Sequence, residues 1–347
     1  MVSGLASKPE FETTFFVPSD HWKLDRACAS GDPLFEVQSR HIPYSRRHLL
    51  SSSLLFDLPK VESYSGLVDW VYSPREIYVP TAHALSAVTI HDVYTFESLA
   101  KTSRCDAKVL LRRALWRKAV ERSTVVLTVS EFSKHRICEI LGAKPERVHV
   151  IGNGVDEIFF RMANEDILDV TPLRDHKYYL SVGGVSEKKG ALRILSFADR
   201  LRKLAVNSRL VVIGPVEAQF RNSVACAPNI IVVGRGLDDL AIARWIRGAT
   251  AVILLSEYEG FGIPALEAMA AGTPVIAHCA TALPEVVGDA GLLIDGNSVS
   301  SLDDAVGLQF DENYRSDLVA RGFHRVQQFS WNACVDRLVE IMTCPYG

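Results

Sequence analysis

Apolar positions in this chain gather in short continuous runs rather than in long one-sided stripes. Runs at 178–182, 210–213, 230–233 and 251–255 are too short for helices and right for buried strands. The first three close on glycine, at Gly183, Gly214 and Gly234, and a loop and a helix-length segment follow each. Strands alternating with helices imply a parallel sheet covered on both faces, with ligands taken beyond the carboxyl ends of the strands. The earlier half has similar runs at 14–18, 67–72, 87–90, 125–129 and 148–151. Helices are expected over 45–56, over 104–122, and from Ser130 or Ser133 to Leu141. Residues 161–176 are polar, contain Pro172 and carry no clear period, so a domain boundary is expected there. The pattern predicts an α/β chain of two doubly wound Rossmann-like domains facing a cleft, over 1–165 and 166–329. An amphipathic helix follows within 330–347.

The run at 251–255 leads into LLSEYEGFGIPALEAMAAG, residues 254–272. The chain turns through Gly260 and Gly262, Pro264 suits a first helical turn, and Gly272 stops the helix before a strand at 275–277. Such a helix mouth offers unpaired N–H groups and the positive end of a dipole, which suit a phosphate. Two carboxylates share the mouth, Glu259 in the loop and Glu267 in the first turns. A carboxylate repels phosphate but accepts well from hydroxyl groups, and a nucleotide-sugar carries phosphates between hydroxyl-rich rings. Glu267 can also be read as a complement to the helix dipole, worth about 0.3–1 kcal/mol.

The spacing of Glu259 and Glu267, in EGFGIPALEAMAAGTPVIA, closely resembles the E-x7-E signature of retaining glycosyltransferases of family four, which have the GT-B fold. The resemblance extends from about Phe15 to Met342. It implies transfer of a hexose from a nucleotide-sugar, of UDP-glucose or GDP-mannose type, to a saccharide or lipid-linked saccharide, with retention at the anomeric carbon. By this resemblance Glu267 binds ribose hydroxyls and Glu259 contacts the transferred sugar. The loop amides of Gly260, Phe261, Gly262 and Ile263 bind diphosphate and sugar, and the last helix crosses back onto the first domain. No metal or other cofactor is implied: Asp-x-Asp is absent, and the helix dipole with Lys189 can offset the leaving diphosphate. The same residues leave open a nucleotide-sugar-binding protein without transfer, or a nucleotide-sugar epimerase on this fold.

Lys188 and Lys189 follow Gly183-Gly184 in SVGGVSEKKG. Read alone they are solvated loop charges or ligands for a diphosphate. The family carries a basic residue and then Lys here, so the resemblance implies a nucleotide-sugar role for Gly183, Gly184, Lys188 and Lys189. It often carries Arg near Gly184 as a second phosphate ligand. This chain has glycine there, which leaves Lys189 with Lys188 as its support. His91 ends an apolar strand in VTIHDV, where a lone histidine is either structural or functional. The matching family motif T-I-H-D sets it against the transferred sugar, polarising a hydroxyl, with Asp92 orienting the turn or His91. His91, Glu259 and Lys189 are thus the implied catalytic set. Ser130, in TVSEFSK, reads as a helix cap, with a role near the cleft as its alternative. Arg235 is placed at the base or ribose by the family's arrangement. Gly152-x-Gly154 and Gly234-x-Gly236 lack the third glycine of a dinucleotide fingerprint.

Composition narrows the setting. A chain of 347 residues can bury two domain-sized cores, and a net charge of −3 gives no argument for nucleic acid. Seven cysteines, odd in number and without a C-x-x-C pair, favour a reducing compartment over a disulfide framework or zinc site. No signal-peptide core opens the sequence, and no run approaches the roughly 18 apolar residues of a membrane span. A cytoplasmic protein is expected, with contact at the inner face of a membrane as its one extension. That extension rests on seven basic residues in 104–122, which form a solvated face or dock to anionic lipid headgroups near a lipid-linked acceptor. Members of the resembled family begin with an apolar strand, a glycine-rich loop and a helix. Residues 1–11 supply only the end of that helix, so a first domain lacking its first β–α element is expected.

Overall fold

The computed structural model describes residues 11–18, 38–42, 56–100, 107–166, 177–205, 207–234 and 236–344, with Gly4, Leu5, Lys8, Ser45, Ser52 and Leu173 as single positions. Most of the helix expected over 45–56 lies outside the described residues. The chain divides into two compact units, Met1–Gly152 with Trp331–Gly347, and Asn153–Ser330.

In the first unit, β1 (Thr14–Pro18) and β2 (Gln38–Ile42) pair in parallel. A second parallel sheet takes β3 (Trp70–Ser73), β4 (Leu85–Thr89), β5 (Val125–Thr128) and β6 (Val148–Val150) in chain order. Its strands are mainly apolar, and β4 and β5 are buried along nearly their whole length because both faces are covered. Val88 and Val126 face Ala119 and Val120 of α1 (Ala107–Arg122) and Ile137 and Leu141 of α2 (Glu131–Leu141). Their neighbours Ala87, Val125 and Leu127 point the other way, onto Leu5 and onto Leu338 and Met342 of the C-terminal helix Trp331–Thr343. β3 starts later than the hydrophobic run at 67–72, since Leu67 stands in solvent.

The second unit holds six parallel strands: β7 (Tyr178–Val182), β8 (Arg209–Ile213), β9 (Ile230–Val233), β10 (Ala251–Leu254), β11 (Val275–His278) and β12 (Leu292–Ile294). They lie in the order β12-β11-β10-β7-β8-β9. The direction of winding reverses between β7 and β10, and the loops leaving those two strands diverge there to leave a crevice. One face of the sheet is covered by Ile194, Phe197 and Leu201 of α3 (Ala191–Leu204), with Leu302 and Val306 of the helix Val299–Gly307. α4 (Asp239–Arg247) and α5 (Ile263–Ala270) pack together, and α5 lies on β10 and β11. Tyr178 and Tyr179 illustrate the alternation. Both are fully buried, and their hydroxyls donate to different helices, to the Trp245 and Val306 carbonyls, each at 2.8 Å. The helix Glu157–Met162 packs on α4 and α5, so the division falls ahead of the polar stretch 161–176.

The entry to β4 depends on one carboxylate. Glu62 accepts the backbone N–H groups of Ala82, His83 and Ala84 at 2.8 to 3.0 Å. Burial alone would raise its pKa, but these donors outweigh it and hold the carboxyl at about 2, down from 4.5. A group depressed in the folded state contributes stability above its unfolded pKa and loses it as pH falls through the folded one. Glu62→Gln is therefore expected to cost about 1 kcal/mol at pH 7, a figure reduced for solvent screening. Chemical unfolding of both proteins should show the gap closing as pH falls from about 4.5 towards 2. A gap independent of pH would show that the charge is not what holds this turn.

Candidate active site

At the crevice of the second unit, the β7 loop and the β10 loop meet through an ion pair. Lys189 Nζ donates to Glu259 Oε1 at 2.7 Å, and Ser256 Oγ donates to the same oxygen at 2.7 Å. Glu259 is buried, with 8% of its surface exposed, so its charge depends on these donors. Its other oxygen, Oε2, has no partner among the described residues. The pair needs Gly183. That residue has φ +111°, and a Cβ there would come within 2.8 Å of Lys189 Cε, so the bare backbone makes room for the lysine stem. The Lys189 N–H is itself held by Ser186 Oγ at 3.2 Å.

Gly260, Phe261 and Gly262 carry the chain from Glu259 to α5. Gly262, with φ +107°, occupies the cap position and has no side chain to satisfy the first N–H groups. Pro264 removes one of those donors and the Ala265 N–H is spent on the Gly262 carbonyl at 2.9 Å, which leaves those of Gly262 and Ile263 at the mouth. Phe261 anchors the loop from behind, its ring edge-on to Phe329 with centroids 5.8 Å apart. Ile263 begins the helix and is exposed. Glu267 lies one turn further on. Burial, joined by the charge of Asp239 at the start of α4, pushes its carboxyl up to about 7. That carboxyl has no hydrogen-bond partner among the described residues.

Lys188 stands beside Lys189 and has its own contacts with the β10 loop. Its carbonyl accepts the N–H groups of Glu257 and Tyr258, at 2.9 and 3.3 Å, and its ammonium lies 5.8 Å from the Tyr258 ring centre. Gly184, at φ +86°, packs on the next loop: a Cβ would strike the Pro215 carbonyl oxygen and lie 2.8 Å from its nitrogen. Arginine therefore cannot stand at 184 while the backbone of the loop after β8 keeps this path. Arg235 lies outside the described residues.

His91 belongs to the first unit, at the end of β4, and is exposed. Its Nε2 is 3.2 Å from the Pro74 carbonyl oxygen. A carbonyl only accepts, so Nε2 carries hydrogen, and the neutral ring presents Nδ1 as an acceptor. Asp92 accepts the Tyr94 N–H at 3.0 Å, which caps the helix Tyr94–Ala100. Ser130 caps α2, accepting the Ser133 N–H at 3.0 Å. Ser133 then donates its hydroxyl to the His91 carbonyl at 3.1 Å. Ser133 was read only as an alternative helix start, and Ser256 and Thr281, whose hydroxyl accepts the Glu259 N–H at 3.1 Å, were not singled out from the sequence. Ser256 had a signal in its place three residues before Glu259; the other two act on backbone groups, which leave no trace in side-chain patterns.

Two family models divide the chain between them. "Glycosyltransferase Family 4" matches residues 8–158, and "Glycosyl transferases group 1" matches residues 164–322, the half that contains the Lys189–Glu259 pair. The chain belongs to the family-four glycosyltransferases. Among relatives of this glycosyltransferase is the O-antigen chain mannosyltransferase B of Escherichia coli, 26% identical over 300 residues, covering 78% of this chain and 73% of that protein. The D-inositol 3-phosphate glycosyltransferase of Frankia alni is 30% identical over 236 residues, covering 62% and 58%. The chain thus spans between about half and three quarters of the relatives it matches. Among solved structures, WaaG, a glycosyltransferase involved in lipopolysaccharide biosynthesis, aligns with TM-score 0.66 at 18% identity, over 80% of this chain and 79% of that one. Anabaena Alr3699/HepE in complex with UDP and glucose aligns with TM-score 0.67 at 15% identity, over 96% and 100%. These likenesses confirm the α/β fold of GT-B type.

Glu267 gives this glycosyltransferase a measurable signature. A carboxyl with a raised folded pKa contributes stability below its unfolded value of 4.5 and loses it as pH rises through the folded value of about 7. Glutamine at 267 carries no charge at any pH. The stability of the wild type relative to Glu267→Gln should therefore fall between about pH 4.5 and 7, by up to about 3 kcal/mol. Parallel chemical unfolding at pH 5 and 8 measures this, and equal differences at both would mean that Glu267 ionises normally.

Proposed function

We infer that the protein transfers a hexose from a nucleotide-sugar to a saccharide or lipid-linked saccharide, with retention at the anomeric carbon. The observation that carries this reading is the Lys189–Glu259 pair at the uncapped mouth of α5. The ammonium has three donors and spends one on Glu259, so it can also take an oxygen of the diphosphate. The N–H groups at the mouth complete a cradle for the developing negative charge without calling on a metal. Glu259 Oε2 then accepts from a hydroxyl of the sugar, and the Glu267 carboxylate accepts from the ribose. In the first unit, His91 presents Nδ1 to a sugar hydroxyl. The acceptor oxygen bonds to the anomeric carbon as the bond to the diphosphate oxygen breaks, and that oxygen takes the acceptor's proton on the same face. UDP-glucose and GDP-mannose are the donors to test: the solved neighbour above holds UDP, and one relative is a mannosyltransferase.

The test separates binding from turnover. Lys189→Ala should weaken UDP or GDP binding at least tenfold, the cost of a charged hydrogen bond, and leave the bare nucleoside unaffected. Glu259→Gln and His91→Ala should bind the diphosphate as the wild type does and lose at least about a hundredfold in turnover. Calorimetry and release of sugar from each donor read the two effects. Full turnover in His91→Ala would return that histidine to a structural role.

The acceptor side extends to a membrane surface in this reading. Among the described residues no helix is long and apolar enough to cross a bilayer. α1 does expose Leu110 and Leu111, each about half in solvent, beside the exposed Arg112 and Arg117. Other basic residues of the same helix serve the fold: Arg113 donates to the Ile140 carbonyl, and Lys118 pairs with Asp57 at 3.5 Å. Apolar side chains between cations suit an anionic lipid surface. The wild type should cosediment with vesicles containing phosphatidylglycerol and not with pure phosphatidylcholine, and a Leu110→Glu, Leu111→Glu variant should cosediment with neither. Retention of the double variant on anionic vesicles would rule out this face.

A further inference from the structure

Thr281, in the loop after β11, has φ +57°. That is the left-handed region, where a β-branched residue is a clear outlier. Asp57 shares this region, but aspartate visits it readily and threonine does not. Strained backbone of this kind persists where its surroundings over-determine it, and it gathers at functional sites. At Thr281 the surroundings are Glu259. Thr281 Oγ1 accepts the Glu259 N–H at 3.1 Å and donates to the Ala280 carbonyl at 2.7 Å, so both roles of the hydroxyl are used. The next residue completes the grip, the Ala282 N–H donating to the Glu259 carbonyl at 3.3 Å.

The rest of the β10 loop is held from the opposite side. The Lys188 carbonyl takes the N–H groups of Glu257 and Tyr258, and Arg193 donates to the Leu255 carbonyl and the Glu257 carboxylate at 3.3 and 2.9 Å. Those contacts stop at Tyr258. Among the described residues the backbone of Glu259, whose carboxylate receives Lys189 and Ser256, is held by residues 281 and 282. Glycine at 281 could adopt the same φ without strain and could not make the hydrogen bond. The strain is thus explained by the hydroxyl it delivers.

We propose that Thr281 is a positioning residue for Glu259, fixing through the Glu259 N–H where that carboxylate stands relative to Lys189 and the donor sugar. This rests on the donor-site reading of Glu259. The experiment compares Thr281→Ser, Thr281→Ala and Thr281→Gly with the wild type by hydrogen exchange of the Glu259 amide and by hydrolysis of UDP-glucose and GDP-mannose. Ser keeps the hydroxyl and should exchange and turn over within about twofold of the wild type. Ala and Gly should exchange the Glu259 amide at least about tenfold faster. In both, kcat should fall about tenfold or more while KM stays within about threefold, as expected for a displaced sugar contact with an intact nucleotide site. Gly should melt no lower than Ala, because it relieves the backbone strain. A merely structural threonine would move melting temperature without the kcat effect and without rescue by Ser. Wild-type exchange at Glu259 in Thr281→Gly, or an unchanged kcat there, overturns the proposal. If the wild type hydrolyses neither donor, that result counts against the donor reading, and the exchange measurement decides the role of Thr281 by itself.

Discussion

A single charge pair holds the crevice together. Lys189 comes from the loop after β7 and Glu259 from the loop after β10, the two strands between which the sheet reverses its winding. Charges brought this far out of water are costly unless each is well partnered, so the site depends on every feature that brings them into register. Gly183 clears space for the lysine stem, Ser256 supplies a second donor, and residues 281 and 282 grip the glutamate backbone. Lys188 stitches the two loops through its own carbonyl. The pocket chemistry is a consequence of loop geometry, and the loop geometry is a consequence of strand order.

Two glutamates show how little residue type decides by itself. Glu62 and Glu267 share an ordinary value of 4.5, yet one is held at about 2 and the other is raised to about 7. Glu62 faces three N–H groups that favour its charged form. Glu267 is buried near Asp239, and both influences favour the neutral form. A hydroxyl-bearing ligand that donates to Glu267 would favour the charged form again, so occupancy of the crevice and ionisation of Glu267 are linked.

Much of this was legible from the sequence because burial on both faces writes itself as unbroken apolar runs. β7 and β9 coincide with the runs at 178–182 and 230–233, and α5 begins beside Pro264 as its pattern requires. The Glu259–Glu267 spacing and the lysines after Gly183 stood out because Glu259 and the lysines lie on short segments after strands and Glu267 lies in the helix that follows. What was hidden has a common cause. β2 reads QSRHI, too polar to signal a strand, and exists through its pairing with β1. The helix Glu157–Met162 joins the second unit through tertiary packing that no local pattern records. The hold of the Lys188 carbonyl on the loop after β10, and the approach of its ammonium to Tyr258, depend on a loop 70 residues away in the chain, as the Lys189–Glu259 separation shows. Thr281 was hidden most completely, because nothing about a threonine announces a left-handed backbone.

The contact between Gly184 and Pro215 reaches beyond this one molecule. The Pro215 carbonyl oxygen occupies the space of a first side-chain carbon at 184, and the Pro215 nitrogen stands 2.8 Å from it. Both obstacles are main-chain atoms, which every residue type at 215 carries. A side chain at 184 is therefore shut out by the path of the loop after β8 and by no single side chain on it. Glycine and loop vary as one unit: only an arrangement that carries that loop elsewhere opens position 184 to arginine.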